Sequence, residues 1–192
     1  MDDDERRRRR EARARRRGLL LVFTGDGKGK TTAAFGLALR AVGNRMPVKV
    51  VQFIKGAWKT GEREAIRASL PGIEVETGGL GFTIERLRDP RIPMDEHRAA
   101  ARAALAAARE AIASGRYRMV VLDEILGSVT AGLITEAELL ELAAARPPEL
   151  HLVLTGRGAT PAVIEAADLV TEMREVKHHF RAGIPAQRGI EF

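Results

Sequence analysis

The stretch "LLLVFTGDGKGKTTAAFGLALRAVG", Leu19 to Gly43, decides how the chain is read. An apolar run stops at Thr24. Three glycines and two lysines follow within six residues, and helical spacing begins at Lys30. A buried strand, a glycine-rich turn and a helix opening on Lys-Thr make a cradle for a phosphate chain. Free N–H groups and the dipole at a helix start favour an anion, and glycine lets the backbone approach it closely. Gly29-Lys30-Thr31 fits the end of G-x-x-x-x-G-K-[ST], with Thr24 where the first Gly belongs and Gly25 one place later. Lys30 is expected to reach the phosphates and the Thr31 hydroxyl to bind Mg²⁺. Lys28 adds a second cation.

Outward from this loop, apolar runs and helical stretches alternate, which predicts an α/β protein with a mainly parallel sheet. Strands are expected at 18–24, 47–54, 73–78, 117–124, 149–156 and 168–176. Helices are expected from Lys30, over "TGEREAIRASL", over the alanine-rich "MDEHRAAARAALAAAREAIASG", over "TEAELLELAAA" and over "TPAVIEAA". Thr135 with Glu138 three residues on is a capping box, and Pro161 suits a first helical turn. The stretch from Gly79 to Pro93 reads as a long loop punctuated by Gly79, Gly81, Pro90 and Pro93, and long loops are often functional.

A second motif answers the first. "MVVLDE" ends a strand on Asp123-Glu124, where one carboxylate can hold a metal or its water and the next can coordinate or act as a base. Ligands in open parallel sheets bind at the carboxyl ends of strands, where both motifs fall.

Composition narrows the classes. The 192 residues suffice for one domain with a core, and no apolar run approaches the ~20 residues of a membrane span. No secretory leader is expected, and with no cysteine the cytoplasm is the expected compartment. The net charge of +6 is mostly local: residues 1–17 hold nine Arg against five acidic residues, a net of +4. This basic extension reads as solvated and partly helical, or disordered, ahead of one domain over 18–192. It lacks the interleaved aromatics of a base-stacking surface, so a nucleic acid is not an expected partner.

"FTGDGKGKTTAAFGLALRAVG", "VVQFIKG" with "GERE" after it, "GFT", "VVLDE", "LTGRG" and the ending "VKHHFRAGIPAQRGIEF" together resemble the P-loop-type ATP:cob(I)alamin (corrinoid) adenosyltransferases, over roughly residues 18–192. The resemblance implies a single-domain P-loop, RecA-like three-layer sandwich with a mainly parallel six-stranded sheet. It implies transfer of the 5′-deoxyadenosyl group of MgATP to the Co(I) of a corrinoid, with triphosphate released. The family loop "GNGKGKTT" is here Gly25 to Thr32, with Asp26 in place of Asn. ATP is then expected at Thr24, Gly25, Asp26, Gly27, Lys28, Gly29, Lys30, Thr31, Thr32 and Arg157. Thr31 and Glu124, with Asp123 beside them, are the expected Mg²⁺ ligands, and Lys30 and Glu124 the expected catalytic residues. Phe82, Ile84 and Trp58 are the expected corrinoid contacts. A homodimer and a reductase supplying Co(I) are the implied partners.

Two departures from the family stand out. "GFTW" is here Gly81-Phe82-Thr83-Ile84, so Ile84 is expected to exclude the corrin's axial base less strictly than an aromatic. Leu126 stands where the family tends to have a polar residue, so the hydrogen bond such a residue makes is expected to be missing here. Arg157 follows a strand end and could contact phosphate or ribose. Lys177, His178 and His179 follow the last strand, and adjacent histidines on a strand would point opposite ways, which argues against a metal site. His97 and His151 read as incidental. The Arg-rich extension could pack over a neighbouring subunit's site, as an N-terminal helix does in some relatives. Competing readings of the phosphate loop are a RecA-like ATPase acting on nucleic acid with Glu124 as general base, a small-molecule kinase, and a non-enzymatic nucleotide-binding module.

Overall fold

The computed structural model describes residues 4–5, 17–54, 60–79 and 92–191. Strands β1 (Leu20–Thr24), β2 (Val48–Gln52), β3 (Ile73–Thr77), β4 (Met119–Asp123), β5 (His151–Thr155) and β6 (Leu169–Glu172) form one sheet in the order β3-β2-β4-β5-β1-β6. Every pairing is parallel. The expected sheet was mainly parallel; it is wholly so. Strand β5 lies between the strand that feeds the phosphate loop and the strand that ends in Asp123, the RecA-like arrangement.

Helices α1 (Lys30–Gly43) and α2 (Gly61–Ser69) pack on one face of the sheet. Helices α3 (Met94–Ala113), α4 (Ile125–Thr130), α5 (Glu136–Ala144) and α6 (Pro161–Ala166) pack on the other. The two apolar clusters follow from the period of two. Val48, Val50, Met119, Val121 and Val153 join the α1 side, while Val51, Val120, Leu122, Leu152 and Leu154 join the α3 side. This is the three-layer sandwich that the family resemblance implies. In α3, Ala101, Ala104 and Ala108 are fully buried or nearly so, and these small residues let that long helix lie close to the sheet.

Helix ends obey their local chemistry. Thr135 accepts from the Glu138 amide and Glu138 reaches back to the Thr135 amide, completing the expected capping box. Thr160 caps α6 and Pro161 occupies its first turn. Helix α4 was not expected. Its six residues include a glycine and are too short to show a period, and it is held by Ile125 and Leu126, which are buried in the core. The last strand is shorter than expected, ending at Glu172 rather than 176, and a 3₁₀ turn forms at His179–Ala182.

Candidate active site

The carboxyl ends of all six strands carry polar residues, and four of these are buried. Thr24 ends β1, Gln52 ends β2, Asp123 ends β4 and Thr155 ends β5, with exposures of 8%, 0%, 0% and 0%. Gln52, Asp123 and Thr155 continue the alternation of Val50, Val121 and Val153. They therefore project from the α1 face, one pleat beyond its apolar cluster. Burying unpaired polar groups is costly, so they bond one another.

Asp123 is the hub. Its Oδ1 accepts from the Thr31 hydroxyl at 2.8 Å and from the Thr155 hydroxyl at 2.8 Å, and its Oδ2 accepts from Gln52 Nε2 at 2.9 Å. Because a carboxylate only accepts, the Thr31 proton is spent on Asp123, which leaves the lone pairs of Thr31 for another partner. Glu124 leaves the strand in the left-handed region, φ 62 and ψ 22, rather than ending it as expected. That conformation costs an L-residue roughly 1–2 kcal/mol. The Glu124 amide donates to Thr155 Oγ1 at 2.9 Å, which contributes about 1 kcal/mol against that cost. The Glu124 carboxylate lies against Gly127 in the first turn of α4, where an added Cβ would stand 3.3 Å from Oε2.

The phosphate loop closes over this rim. Lys30 is buried, and its ammonium reaches back to donate to Gly25 O at 2.6 Å and Gly27 O at 2.7 Å. Burial lowers the Lys30 pKa, and the nearby Glu124 charge opposes that shift. Gly29 precedes the helix at φ 111, a value that favours glycine. Gly25, at φ 94, has a second reason to be glycine: a Cβ there would stand 2.5 Å from Met173 O. The segment after β6 thus braces the loop. Met173 N–H donates to Thr24 O at 2.8 Å, and Gly27 N–H donates to Met173 O at 2.7 Å. With the Gly27 amide spent there, a phosphate chain would draw its amide donors from the residues that open α1. Thr32 lies in that first turn with an exposed side chain.

Arg157 sits just past β5 and donates to the carbonyl of Asp26 at 3.2 Å. Together with Glu172, Arg174, Glu175 and Arg181, these two residues line an open pocket of about 510 Å³ beside the loop. Lys28 pairs with Glu191 at 2.9 Å, and His179 Nε2 lies 3.2 Å from the same carboxylate oxygen. The C-terminal segment therefore reaches the phosphate loop.

His178 and His179 lie beyond β6, as expected, but they do not point opposite ways as neighbours on a strand would: their rings stack at 4.7 Å and 26°. Their nitrogens and a Glu191 oxygen lie within 4.8 Å of one another. Yet Nδ1 of His178 accepts the Phe180 amide, and Glu191 is paired with Lys28. Leu126 is 1% exposed in the core, so the departure there fills the interior rather than removing a polar group from the loop's mouth. His97 is 3% exposed with no hydrogen bond to Nε2 among the described residues, and His151 Nδ1 accepts the Leu19 amide. Trp58, Phe82 and Ile84 lie outside the described residues, as does most of the 1–17 extension.

Of the expected site, Thr24, Gly25, Asp26, Gly27, Lys28, Gly29, Lys30, Thr31, Asp123, Glu124 and Arg157 converge on one corner of the sheet. Gln52 and Thr155 belong to the same corner and were not anticipated. The donor set fits Mg²⁺: a hydroxyl with its proton committed, a carboxylate beside it, and oxygen donors throughout, which suit a hard cation. Thr31 and Glu124 could hold such an ion directly. Asp123, with both oxygens engaged, orients Thr31.

A family model described as ATP:corrinoid adenosyltransferase BtuR/CobO/CobP matches residues 16–192. A corrinoid adenosyltransferase of Pseudomonas aeruginosa is 46% identical over 178 residues, 91% of this chain and 84% of that protein. A Sinorhizobium corrinoid adenosyltransferase is 46% identical over 180 residues, 91% of this chain and 80% of its own. The Salmonella typhimurium corrinoid adenosyltransferase CobA is 41% identical over 175 residues, covering 91% and 86%. With a phosphate loop, a paired-carboxylate strand end and near full-length similarity in agreement, the chain belongs to the ATP:corrinoid adenosyltransferase BtuR/CobO/CobP family.

Proposed function

We propose that this enzyme transfers the 5′-deoxyadenosyl group of MgATP to the Co(I) centre of a corrinoid. The Co–C5′ bond forms as the C5′–O bond breaks, and the electron pair of that bond leaves with triphosphate. The nucleophile comes with the substrate, so the protein needs no side-chain nucleophile. Its task is to align C5′ with cobalt and to receive a highly charged leaving group. Well-oriented reactants gain on the order of 7–11 kcal/mol from positioning, and preorganised donors aimed at developing charge supply the rest.

The observation that carries this reading is the juxtaposition of Lys30 with the Thr31–Asp123 hydrogen bond, at the strand ends of a chain of this family. Lys30, Lys28 and the amides opening α1 would receive the phosphates. Thr24, Gly25, Asp26, Gly27 and Gly29 would shape the loop, and Arg157 would approach from its lip. Mg²⁺ held by Thr31 and Glu124 would offset charge on the departing triphosphate. Trp58, Phe82 and Ile84 are assigned to the corrinoid. We place residues 1–17 outside the catalytic domain, and the enzyme in the cytoplasm as a homodimer served by a separate Co(II) reductase.

The test is an anaerobic assay with MgATP and chemically reduced corrinoid. The expected products are a light-sensitive adenosylcorrinoid and intact triphosphate, both lost in Lys30→Ala. ADP and phosphate appearing without corrinoid, and no Co–C product, would overturn the proposal.

A further inference from the structure

Thr155 occupies a position that neither the phosphate loop nor the carboxylate pair accounts for. It is the last residue of β5 and fully buried. Its hydroxyl makes two bonds of opposite sense. The Glu124 amide can only donate, so Thr155 Oγ1 accepts it, at 2.9 Å. The Thr155 hydrogen then goes to Asp123 Oδ1, at 2.8 Å. One hydroxyl thereby joins the side chain of the first carboxylate to the backbone of the second.

Each bond has a consequence at the loop. Asp123 Oδ1 also takes the Thr31 hydrogen, so a shift of that oxygen turns the Thr31 lone pairs. The Glu124 amide bond holds a left-handed residue whose backbone aims its carboxylate, and the next residue begins α4. The two groups suited to a metal ion are thus set by a third residue that is itself fully buried. The surroundings are close-packed: a Cβ on Gly156, at φ 138, would stand 2.8 Å from Leu126 Cβ and 2.8 Å from Gly127 N. The end of β5 and the first turn of α4 are therefore in close contact.

We propose that Thr155 is a positioning residue of the metal–nucleotide site, coupling Thr31 to Glu124 through its single hydroxyl. The inference rests on the reading of this corner as a Mg²⁺-nucleotide site and is separable from the corrinoid chemistry. Residues that orient metal ligands typically change metal affinity by about 10–100-fold when removed.

The experiment uses the full chain without corrinoid. Binding of a fluorescent ATP analogue is titrated with Mg²⁺, and again in EDTA, for wild type, Thr155→Val, Thr155→Ala and Thr155→Ser. Direct Mn²⁺ binding is followed by electron paramagnetic resonance. The expected result is a rise of about 10–100-fold in half-saturating Mg²⁺ for the Val variant, and for Ala should Val fail to fold. Affinity in EDTA should stay within about twofold, and Ser should restore the wild-type midpoint. Equal losses with and without Mg²⁺ would assign Thr155 a purely structural role and overturn the proposal. So would an unchanged midpoint in Val and Ala. A wild type whose nucleotide affinity ignored Mg²⁺ would overturn the proposal together with the metal reading on which it rests.

Discussion

The phosphate loop is bounded by two walls built on different terms. On one side stand Gln52, Asp123 and Thr155, each 0% exposed and each bonded to its neighbour inside the sheet. On the other side stands the segment after β6. Strand β6 is exposed along its whole length, and the outer wall touches the loop through Met173 backbone bonds and the Lys28–Glu191 pair. Of eight exposed large apolar side chains among the described residues, seven lie between Ile164 and Ile190. The inner wall fixes geometry because a buried polar group must keep its partners or lose about 1–3 kcal/mol. The outer wall is held by two backbone hydrogen bonds at Met173 and a partly exposed ion pair. The metal-ligand side of the site is thus rigid, and the side facing Lys28 is the one able to yield.

The comparison can be broken by making one change in both walls. Asp123→Asn and Glu191→Gln each replace a carboxylate by an amide of the same shape. At Asp123 three donors converge on two acceptor oxygens, and an amide offers one oxygen and brings two more donors. We expect a stability loss of about 1–3 kcal/mol in urea unfolding and up to a ~100-fold fall in metal-dependent turnover. Indifference to Asp123→Asn would abolish the distinction between the walls.

Gly25→Ala probes the seam between them. The new Cβ would stand 2.5 Å from Met173 O at φ 94, and left-handed backbone alone costs an alanine roughly 1–2 kcal/mol. A lower urea midpoint is expected, together with weaker nucleotide binding. A fully stable variant would mean that Met173 moves freely and that the brace is not one. Arg157→Ala follows in size. The side chain is 56% exposed and contacts the loop through the Asp26 carbonyl. The expected effect is about tenfold or less on nucleotide KM, with stability unchanged to within about 0.5 kcal/mol.

The inner wall was half legible in the sequence. The loop and Asp123-Glu124 are local motifs, and local motifs survive in one dimension. Gln52 and Thr155 lie inside the family stretches "VVQFIKG" and "LTGRG", but neither belongs to a motif with a chemical role of its own. Their signal is the last in-face position of an alternating strand, as in "VKVVQ" and "HLVLT", where a polar residue replaces the next apolar one. Only the sheet order, with β4 between β2 and β5, shows that these two positions flank Asp123. The outer wall was hardly legible. The histidine pair follows the last strand as expected, but the strand rule for adjacent side chains does not apply there: the chain leaves the sheet at Glu172 and the rings stack. Helix α4 was missed for the same physical reason: six residues are held by the core that receives Ile125 and Leu126, not by their own periodicity.

The smallest effect tests the outer wall directly. Lys28 and Glu191 are 48% and 18% exposed and 2.9 Å apart, and a pair of this kind is worth up to about 1 kcal/mol. The hydrogen bond from Lys28 holds the Glu191 carboxyl below its ordinary pKa, with the charges of Lys28 and His179 adding to it. A depressed carboxyl contributes stability that is present above its unfolded pKa and is lost as pH falls through its folded pKa. Wild type should therefore exceed Glu191→Gln slightly at neutral pH, and the difference should vanish in the acid range, as read from urea midpoints at both pH values. A difference that persisted in acid would have to come from packing and not from the pair. The same variant leaves Lys28 without its carboxylate, so inorganic triphosphate should bind a few-fold tighter, roughly 2–5-fold for a screened surface charge. Tighter triphosphate binding without a matching loss of stability would mean that the C-terminal segment competes with the leaving group for Lys28. Weaker binding would mean that Glu191 instead holds Lys28 in the place where the phosphates need it.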